Sequence, residues 1–141
     1  MTFQASHQLL LSGSKLNKED LKLILNQVKT IAIVGASSNP DRDSYKVMKF
    51  LIDYEYQIYP VNPNETNILG RKCYPDLESI QEKIDMVDVF RAEEFVFDIT
   101  KQAIEINADI LWLQEGVIDK KFAKLIANNS SEYNKVRYNL L

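Results

Sequence analysis

A short loop of small residues, Gly35 to Ser38, is the part of the chain best suited to hold a phosphate group. It follows an apolar run, residues 31–34, and precedes a segment with helical spacing that starts near Ser44. A strand, a small-residue loop and a helix in this order offer an anion the helix N-terminus. Arg42 adds a guanidinium group whose fork geometry suits phosphate. The sequence leaves open the alternative that the serines satisfy the loop backbone and Arg42 is solvated.

The same loop departs from two common nucleotide-binding motifs. A dinucleotide fingerprint has three glycines, G-x-G-x-x-G, and an acidic residue at the end of the second strand. Here only Gly35 matches, and Asn62 follows the second predicted strand. Both departures argue against an NAD(P)-binding oxidoreductase or redox sensor, which is the alternative function on this fold. The chain has no G-x-x-x-x-G-K-[ST] sequence, which excludes a P-loop NTPase.

Other polar residues follow the remaining predicted strands. Asn62 and Pro63 follow the second strand, Arg91 the third, and Gln114 and Gly116 the fourth. The carboxyl ends of parallel strands share one edge of the sheet, where ligands bind. We therefore expect one cofactor-binding site made of Gly35, Ala36, Ser37, Ser38, Arg42, Asn62, Pro63, Arg91, Gln114 and Gly116.

Three of the singled-out side chains also have ordinary structural interpretations. Arg91 can be a surface charge that pairs with Glu93 or Glu94, and Gln114 can be an amide that stabilises its loop. Trp112, inside the fourth predicted strand, is favoured as a core residue over a platform for ligand stacking.

Strand-like apolar runs alternate with helix-like stripes along the chain. This β-α-β-α-β-α-β-α order, with short connections, predicts an α/β protein with a Rossmann-like, doubly wound, mainly parallel sheet and helices on both faces. About five strands are expected, from Ile31 to Val34, Gln57 to Val61, Met86 to Phe90, Asp109 to Leu113, and within residues 134–141. Helices are expected from Asn17 to Val28, Ser44 to Tyr54, at Asp76 to Ile80, from Glu93 to Ile106 and from Asp119 to Ala127.

The length of 141 residues suits one compact domain. We expect an irregular N-terminal arm over residues 1–16 and a single domain over residues 17–141. The net charge of −3 argues against nonspecific nucleic-acid binding, which needs a basic face. No apolar run reaches the roughly 20 residues of a membrane span, and no secretory signal precedes the domain, so a cytoplasmic protein without a membrane partner is expected. The sequence does not predict an oligomeric state.

The residue types needed for catalysis are scarce. One cysteine, Cys73, and one histidine, His7, exclude a disulfide framework and a Cys/His zinc cluster. The basic neighbours of Cys73 favour a lowered thiol pKa, but with no nearby histidine a catalytic role is not expected. Asp85 and Asp88 flank the third strand and are interpreted as groups that hydrogen-bond its end. The pattern favours a binding module over an enzyme.

Four blocks of sequence, in order, resemble one protein family. They are Ile33-Val34-Gly35-Ala36-Ser37 with Asn39-Pro40 and Arg42; Tyr59-Pro60-Val61-Asn62-Pro63-Asn64; Val87-Asp88-Val89-Phe90-Arg91; and Leu111-Trp112-Leu113-Gln114 with Gly116-Val117. The chain resembles the small stand-alone CoA-binding proteins, which are similar to the CoA-binding domain of the succinyl-CoA synthetase α subunit.

This resemblance implies a Rossmann-type domain that binds CoA or an acyl-CoA without catalysis. It implies that the residues from Gly35 to Ser38 cradle the pyrophosphate and that Arg42 supplies a counter-charge. Asn62 and Pro63 would shape the adenine and ribose side, while Arg91 and Gln114 would border the ligand. The chain departs from the family at Glu55 and Asn107, where glycine is usual, and in residues 128–141, which have neither the usual glycine nor the usual cysteine.

Overall fold

The computed structural model describes residues 25–114 of the chain. The predicted arm over residues 1–16, the helix from Asp119, the strand in residues 134–141 and the site residue Gly116 lie outside these residues. The helix predicted from Asn17 to Val28 is described only at its end, where residues 25–27 are helical.

Six strands and two α-helices make up the described fold. The strands are β1 Thr30–Val34, β2 Gln57–Val61, β3 Asn67–Ile68, β4 Arg71–Lys72, β5 Met86–Val89 and β6 Ile110–Leu113. The helices are α1 Asp43–Asp53 and α2 Val96–Glu105, with 3-10 turns at Leu77–Ser79 and Glu93–Phe95. The four main strands and α1 match their predicted positions to within one residue at each end. The hairpin of β3 and β4 was not predicted.

The main sheet is parallel, with the strand order β2-β1-β5-β6. β1 lies at its centre, paired with β2 on one side and with β5 on the other. The described sheet and its helices confirm the predicted α/β, Rossmann-like fold. None of the helices within residues 25–114 is long and apolar enough to cross a membrane.

The sheet buries both of its faces. Ala32, Val34, Val87 and Val89 point to one face, where they pack with the α2 residues Val96, Ile99 and Ala103. Ile31, Ile33, Met86 and Trp112 point to the other, where they pack with Met48 and Leu51 of α1. Because side chains alternate along a strand, strands covered on both faces read as continuous apolar runs. Trp112 is only 7% exposed, which confirms that it is a core residue.

The amino ends of β1 and β5 are joined by a compact set of hydrogen bonds. Asp85 Oδ2 accepts from the backbone N–H groups of Lys29 at 2.8 Å and Thr30 at 3.2 Å. In return, the Thr30 hydroxyl accepts from the Asp85 N–H at 2.9 Å. The prediction that Asp85 hydrogen-bonds the strand end is confirmed. These hydrogen bonds hold the amino ends of β1 and β5 together.

Two non-glycine residues end helices in the left-handed conformation that favours glycine. Glu55, after α1, has φ of +69°, and Asn107, after α2, has φ of +60°. Asparagine tolerates this region, whereas a residue with a long side chain is strained there by about 1 kcal/mol or more.

Replacing Glu55 with glycine is expected to stabilise the protein by about 0.5–1 kcal/mol, because relief of the strain exceeds the added entropy of the unfolded chain. Urea unfolding would measure the change. The matched control Lys49→Gly, at an exposed position inside α1, should destabilise by a similar amount. A lower stability of Glu55→Gly would contradict this expectation.

Candidate functional site

A cleft opens where the direction of strand addition reverses. From β1 the chain forms β2 on one side and then returns to form β5 on the other. Loops leave the carboxyl ends of β1 and β5 in opposite directions here, which is where doubly wound sheets bind ligands. The cleft has a volume of about 1020 Å³. Its described lining comes from the ends of β1, β2 and β5, the start of α1, the turn after Pro75, the outer face of α2 and Gln114.

Eight of the ten predicted site residues line this cleft: Gly35, Ala36, Ser37, Arg42, Asn62, Pro63, Arg91 and Gln114. Ser38 is exposed and is not among the described lining residues, and Gly116 lies outside residues 25–114. Other residues that line the cleft were missed by the sequence reasoning: Asp41, Asp43, Ser44, Asn64, Pro75, Asp76, Leu77, Phe95, Asp98, Ile99 and Gln102. Ser44 had a usable signal, because it begins the helix that follows the loop.

Gly35 is required where β1 passes the end of β5. Its φ is +88°, and a Cβ atom there would lie 2.4 Å from the carbonyl oxygen of Phe90 and 3.1 Å from Cδ of Arg91. Real side chains do not pack that closely, so only glycine fits. The absent side chain lets the first loop and the Arg91 loop share one side of the cleft.

Much of the first loop's backbone is already hydrogen-bonded. The N–H groups of Gly35 and Ala36 both donate to the carbonyl oxygen of Val61, at 3.1 and 3.3 Å. The Ser38 N–H donates to Oε2 of Glu65 at 3.0 Å. The Ser37 hydroxyl accepts from the Asn39 N–H at 3.0 Å. These bonds fix the loop and leave few of its donors for a ligand.

The remaining donors belong to Ser37 and to the first two residues of α1, which line the same cleft. Among the described residues, no partner is present for the backbone N–H groups of Ser37, Asp43 and Ser44. Ser44 is only 4% exposed, and its hydroxyl also has no partner within residues 25–114. A buried hydroxyl usually has a hydrogen-bond partner, so this group indicates a place where a ligand or water completes the site. The N-terminal end of a helix attracts negative charge.

Arg42 and Arg91 line the cleft together with these donors. Arg42 is the residue before α1, it is exposed, and its guanidinium group has no partner among the described residues. Arg91 stacks on Phe95, with 3.9 Å between its guanidinium carbon and the ring centroid. This cation–π contact takes the place of the ion pair with Glu93 or Glu94 that was the alternative interpretation of Arg91.

Asn62 joins the first loop to the loop after β2. Its Nδ2 donates to the carbonyl oxygen of Ala36 at 2.8 Å, and its Oδ1 accepts from the Asn64 N–H at 2.8 Å. The side chain therefore shapes the wall of the cleft by holding two loops together. No carboxylate stands at this position to bind the ribose diol of NAD.

Asp88 departs from the sequence-based interpretation. It lies inside β5, 4% exposed, and not at the strand end. Burial raises the pKa of its carboxyl group to about 7. The hydrogen bond from Gln114 lowers this pKa, but by less than burial raises it. Gln114 Nε2 donates to Oδ1 of Asp88 at 3.0 Å and is 3.3 Å from the carbonyl oxygen of Val89. The interpretation of Asp88 was wrong because nothing in its apolar neighbours along the strand indicates that its side chain contacts Gln114.

Acidic side chains limit the positive potential of the cleft. Its described lining contains two guanidinium groups and four carboxyl groups, those of Asp41, Asp43, Asp76 and Asp98. Asp76 accepts hydrogen bonds from the backbone and hydroxyl of Ser79, at 2.9 and 2.6 Å, which confirms that it caps the turn. No cluster of potential metal ligands is present within residues 25–114.

Cys73 is not placed for catalysis. The thiol is buried, outside the described lining of the cleft, and 3.5 Å from the carbonyl oxygen of Asn62. Burial raises the pKa of the thiol, and this overturns the suggestion that its basic neighbours lower it.

Comparison with known proteins decides the family. The family model described as CoA binding domain matches residues 29–137, which include the whole described cleft. The chain belongs to this CoA-binding family. The resemblance seen in the four sequence blocks is thereby confirmed.

Relatives in this family occur both as small proteins and as parts of large ones. The uncharacterized protein YneT of Bacillus subtilis is 36% identical over 110 residues, which are 78% of this chain and 82% of YneT. An ADP-forming acetate–CoA ligase of Methanocaldococcus jannaschii is 40% identical over 58 residues, 41% of this chain but 8% of the ligase. The match therefore covers only a small part of the ligase.

Solved structures show the same fold. A hypothetical protein from Pyrococcus horikoshii OT3 is 38% identical, with a TM-score of 0.77 over 89% of this chain and 86% of that one. A protein from Thermus thermophilus, cell-free ID.343, is 27% identical, with a TM-score of 0.77 over 89% of this chain and 91% of that one.

Proposed function

We propose that the cleft binds CoA or an acyl-CoA through its phosphate groups and does not catalyse a reaction on it. The observation that carries this proposal is the set of donors in the first loop and at the start of α1 that have no partner within residues 25–114. The backbone N–H groups of Ser37, Asp43 and Ser44 and the buried Ser44 hydroxyl belong to residues that line the cleft together with Arg42, within the part of the chain that the CoA-binding family model covers. A diphosphate is the part of CoA that can use all of these donors.

The binding residues proposed are those predicted from the sequence, with three changes in their roles. Gly35, Ala36 and Asn62 act by shaping the loop, because their polar groups are already hydrogen-bonded. Ser44 joins Ser37 and Arg42 as a direct phosphate contact. Ser38 contributes through its bond to Glu65, which ties the first loop to the loop after β2.

The proposal of a binding role without catalysis rests on the chemistry of the lining. The described cleft wall contains arginines, aspartates and amides. The chain's one histidine, His7, and its one cysteine, Cys73, are not among the described lining residues. Isothermal titration of the protein with CoA tests the binding step, with NADH as the competing ligand. Saturation by CoA and not by NADH supports the proposal. The absence of CoA binding up to millimolar concentration would contradict it.

Arg42→Ala is expected to weaken CoA binding about tenfold or more, because a charge-assisted hydrogen bond to phosphate contributes about 1.5–3 kcal/mol. Arg71→Ala is the matched control, since Arg71 lies in β4, is exposed and is absent from the described lining. Titration calorimetry of both variants measures the difference. Equal affinities for the two variants would remove Arg42 from the site.

Asp43→Asn is expected to bind CoA about two- to fivefold more tightly, because it removes a negative charge beside the phosphates. CoA carries about four negative charges at neutral pH, and Asp43 is the first residue of α1. The control Asp53→Asn removes the same charge from the far end of the helix and should leave the affinity unchanged. The gain should fall as salt is added, and a gain of equal size in Asp53→Asn would contradict the expectation.

A further inference from the structure

Gln114 is held in one orientation by two acceptors on β5. Its Nε2 lies 3.0 Å from Oδ1 of Asp88 and 3.3 Å from the carbonyl oxygen of Val89. A carboxamide presents two hydrogens on nitrogen and only lone pairs on oxygen, so the nitrogen must face these two oxygen atoms. The Val89 carbonyl requires this orientation even when Asp88 is protonated.

The orientation leaves one group of Gln114 without a partner. Its Oε1 accepts no hydrogen bond from any residue in the described part of the chain. Because Nε2 is turned toward β5, Oε1 is turned away from it, and Gln114 lines the cleft. The side chain therefore offers the cleft an acceptor and no donor.

Asp88 has no other evident purpose in β5. Its neighbours across the sheet are Ile33 and Trp112, and its described side-chain partner is Gln114. A buried carboxyl group is costly unless it is hydrogen-bonded, and an apolar residue would serve the core better. Its one distinctive contact is with a side chain that faces the cleft.

We propose that Asp88 is a positioning residue that orients Gln114, and that Gln114 Oε1 accepts a hydrogen bond from an N–H or O–H group of the ligand. This inference rests on the proposed function. β6 is two strands away from β1, or about 10 Å at the usual strand spacing. Because Oε1 can only accept a hydrogen bond, its partner is not an ionised phosphate oxygen, which has no hydrogen to donate. The donor belongs either to an amide or hydroxyl of the pantetheine arm or to the adenosine portion of the ligand.

Gln114→Met keeps the length of the side chain and removes the acceptor. It is expected to weaken CoA binding about tenfold, whereas the control Gln57→Met, at the amino end of β2, should not change it. Titrations with 4′-phosphopantetheine and with adenosine 3′,5′-bisphosphate identify the source of the donor, because only the probe that contains it should show the loss. If the wild type binds CoA and Gln114→Met binds it equally well, the inference about Gln114 is overturned and the proposed function is not. No wild-type binding of any probe overturns it together with the proposed function.

A double-mutant cycle separates positioning from a general structural effect. Asp88→Leu should weaken CoA binding in the wild-type background and cause no further loss in the Gln114→Met background. Equal losses in both backgrounds would overturn the positioning role. If Asp88→Leu does not fold, Asp88→Ala replaces it, since alanine also lacks an acceptor, and the ¹⁵N spectrum of the Gln114 carboxamide gives the second measurement. Its Nε2 protons should exchange slowly in the wild type and faster in the Asp88 variant, and unchanged exchange would overturn the role.

Discussion

Gly35→Ala is expected to destabilise the protein by about 4 kcal/mol and to abolish CoA binding. About 1–2 kcal/mol comes from placing a side chain at φ of +88°, and the rest from the overlap with the Phe90 carbonyl group. The overlapping atom is backbone, at 2.4 Å, and it can move only if β1 and β5 separate. Such a separation would displace Arg91 and disturb the wall of the cleft.

Gly70→Ala is the matched control for this substitution. Gly70 has a similar φ of +77°, but no atom lies within 4 Å of the position that a Cβ would take. It should therefore lose only about 1 kcal/mol and bind CoA normally. Urea unfolding of the two variants and the wild type compares the free energies of unfolding. Similar losses in the two variants would show that the close approach of β1 to Phe90 does not limit residue 35.

Asp88→Asn is expected to stabilise the protein in a pH-dependent way, by on the order of 4 kcal/mol at pH 8. The folded-state pKa of Asp88, about 7, lies above its ordinary value of 3.8. The folded protein therefore keeps a proton that the unfolded chain releases, so this group makes stability fall as pH rises from about 4 to about 7. Asparagine is neutral at every pH, so the variant does not lose this stability as the pH rises.

Urea unfolding of wild type and Asp88→Asn at pH 5, 6 and 8 measures the effect. The pH-dependent part of the difference in the free energy of unfolding should be about 2 kcal/mol at pH 5, about 3 kcal/mol at pH 6 and about 4 kcal/mol at pH 8, where it levels off. The other titrating groups are common to both proteins and cancel in the difference. A difference that does not change with pH would mean that Asp88 ionises in the folded state as it does in the unfolded chain.

The fold was predictable because the apolar runs in the sequence coincide with the strands of the buried sheet. The run from Ile31 to Val34 is apolar because both faces of β1 are covered, and the turn after it is set by Gly35. Proline, amide and arginine residues directly after the predicted strands indicated the edge of the sheet where the cleft lies. The hairpin around Gly70 was not predicted, since strands of two residues have no measurable periodicity.

The finer structure of the site depended on contacts between distant residues. No local pattern shows that Glu65 accepts the Ser38 N–H, or that the Val61 carbonyl accepts from both Gly35 and Ala36. The burial of Asp88 likewise follows from the pairing of β5 with β1 and β6. The sequence could name residues that line the cleft, but it could not distinguish those that shape the loop from those whose donors have no partner within residues 25–114.

The central claim is that the start of α1 holds the diphosphate of CoA. A ¹H–¹⁵N correlation spectrum recorded during a titration with CoA tests it most directly. The account predicts that the backbone signals of Ser37, Asp43 and Ser44 shift most and saturate together. Unchanged signals for these three residues at millimolar CoA, or saturating shifts confined to other parts of the chain, would contradict it.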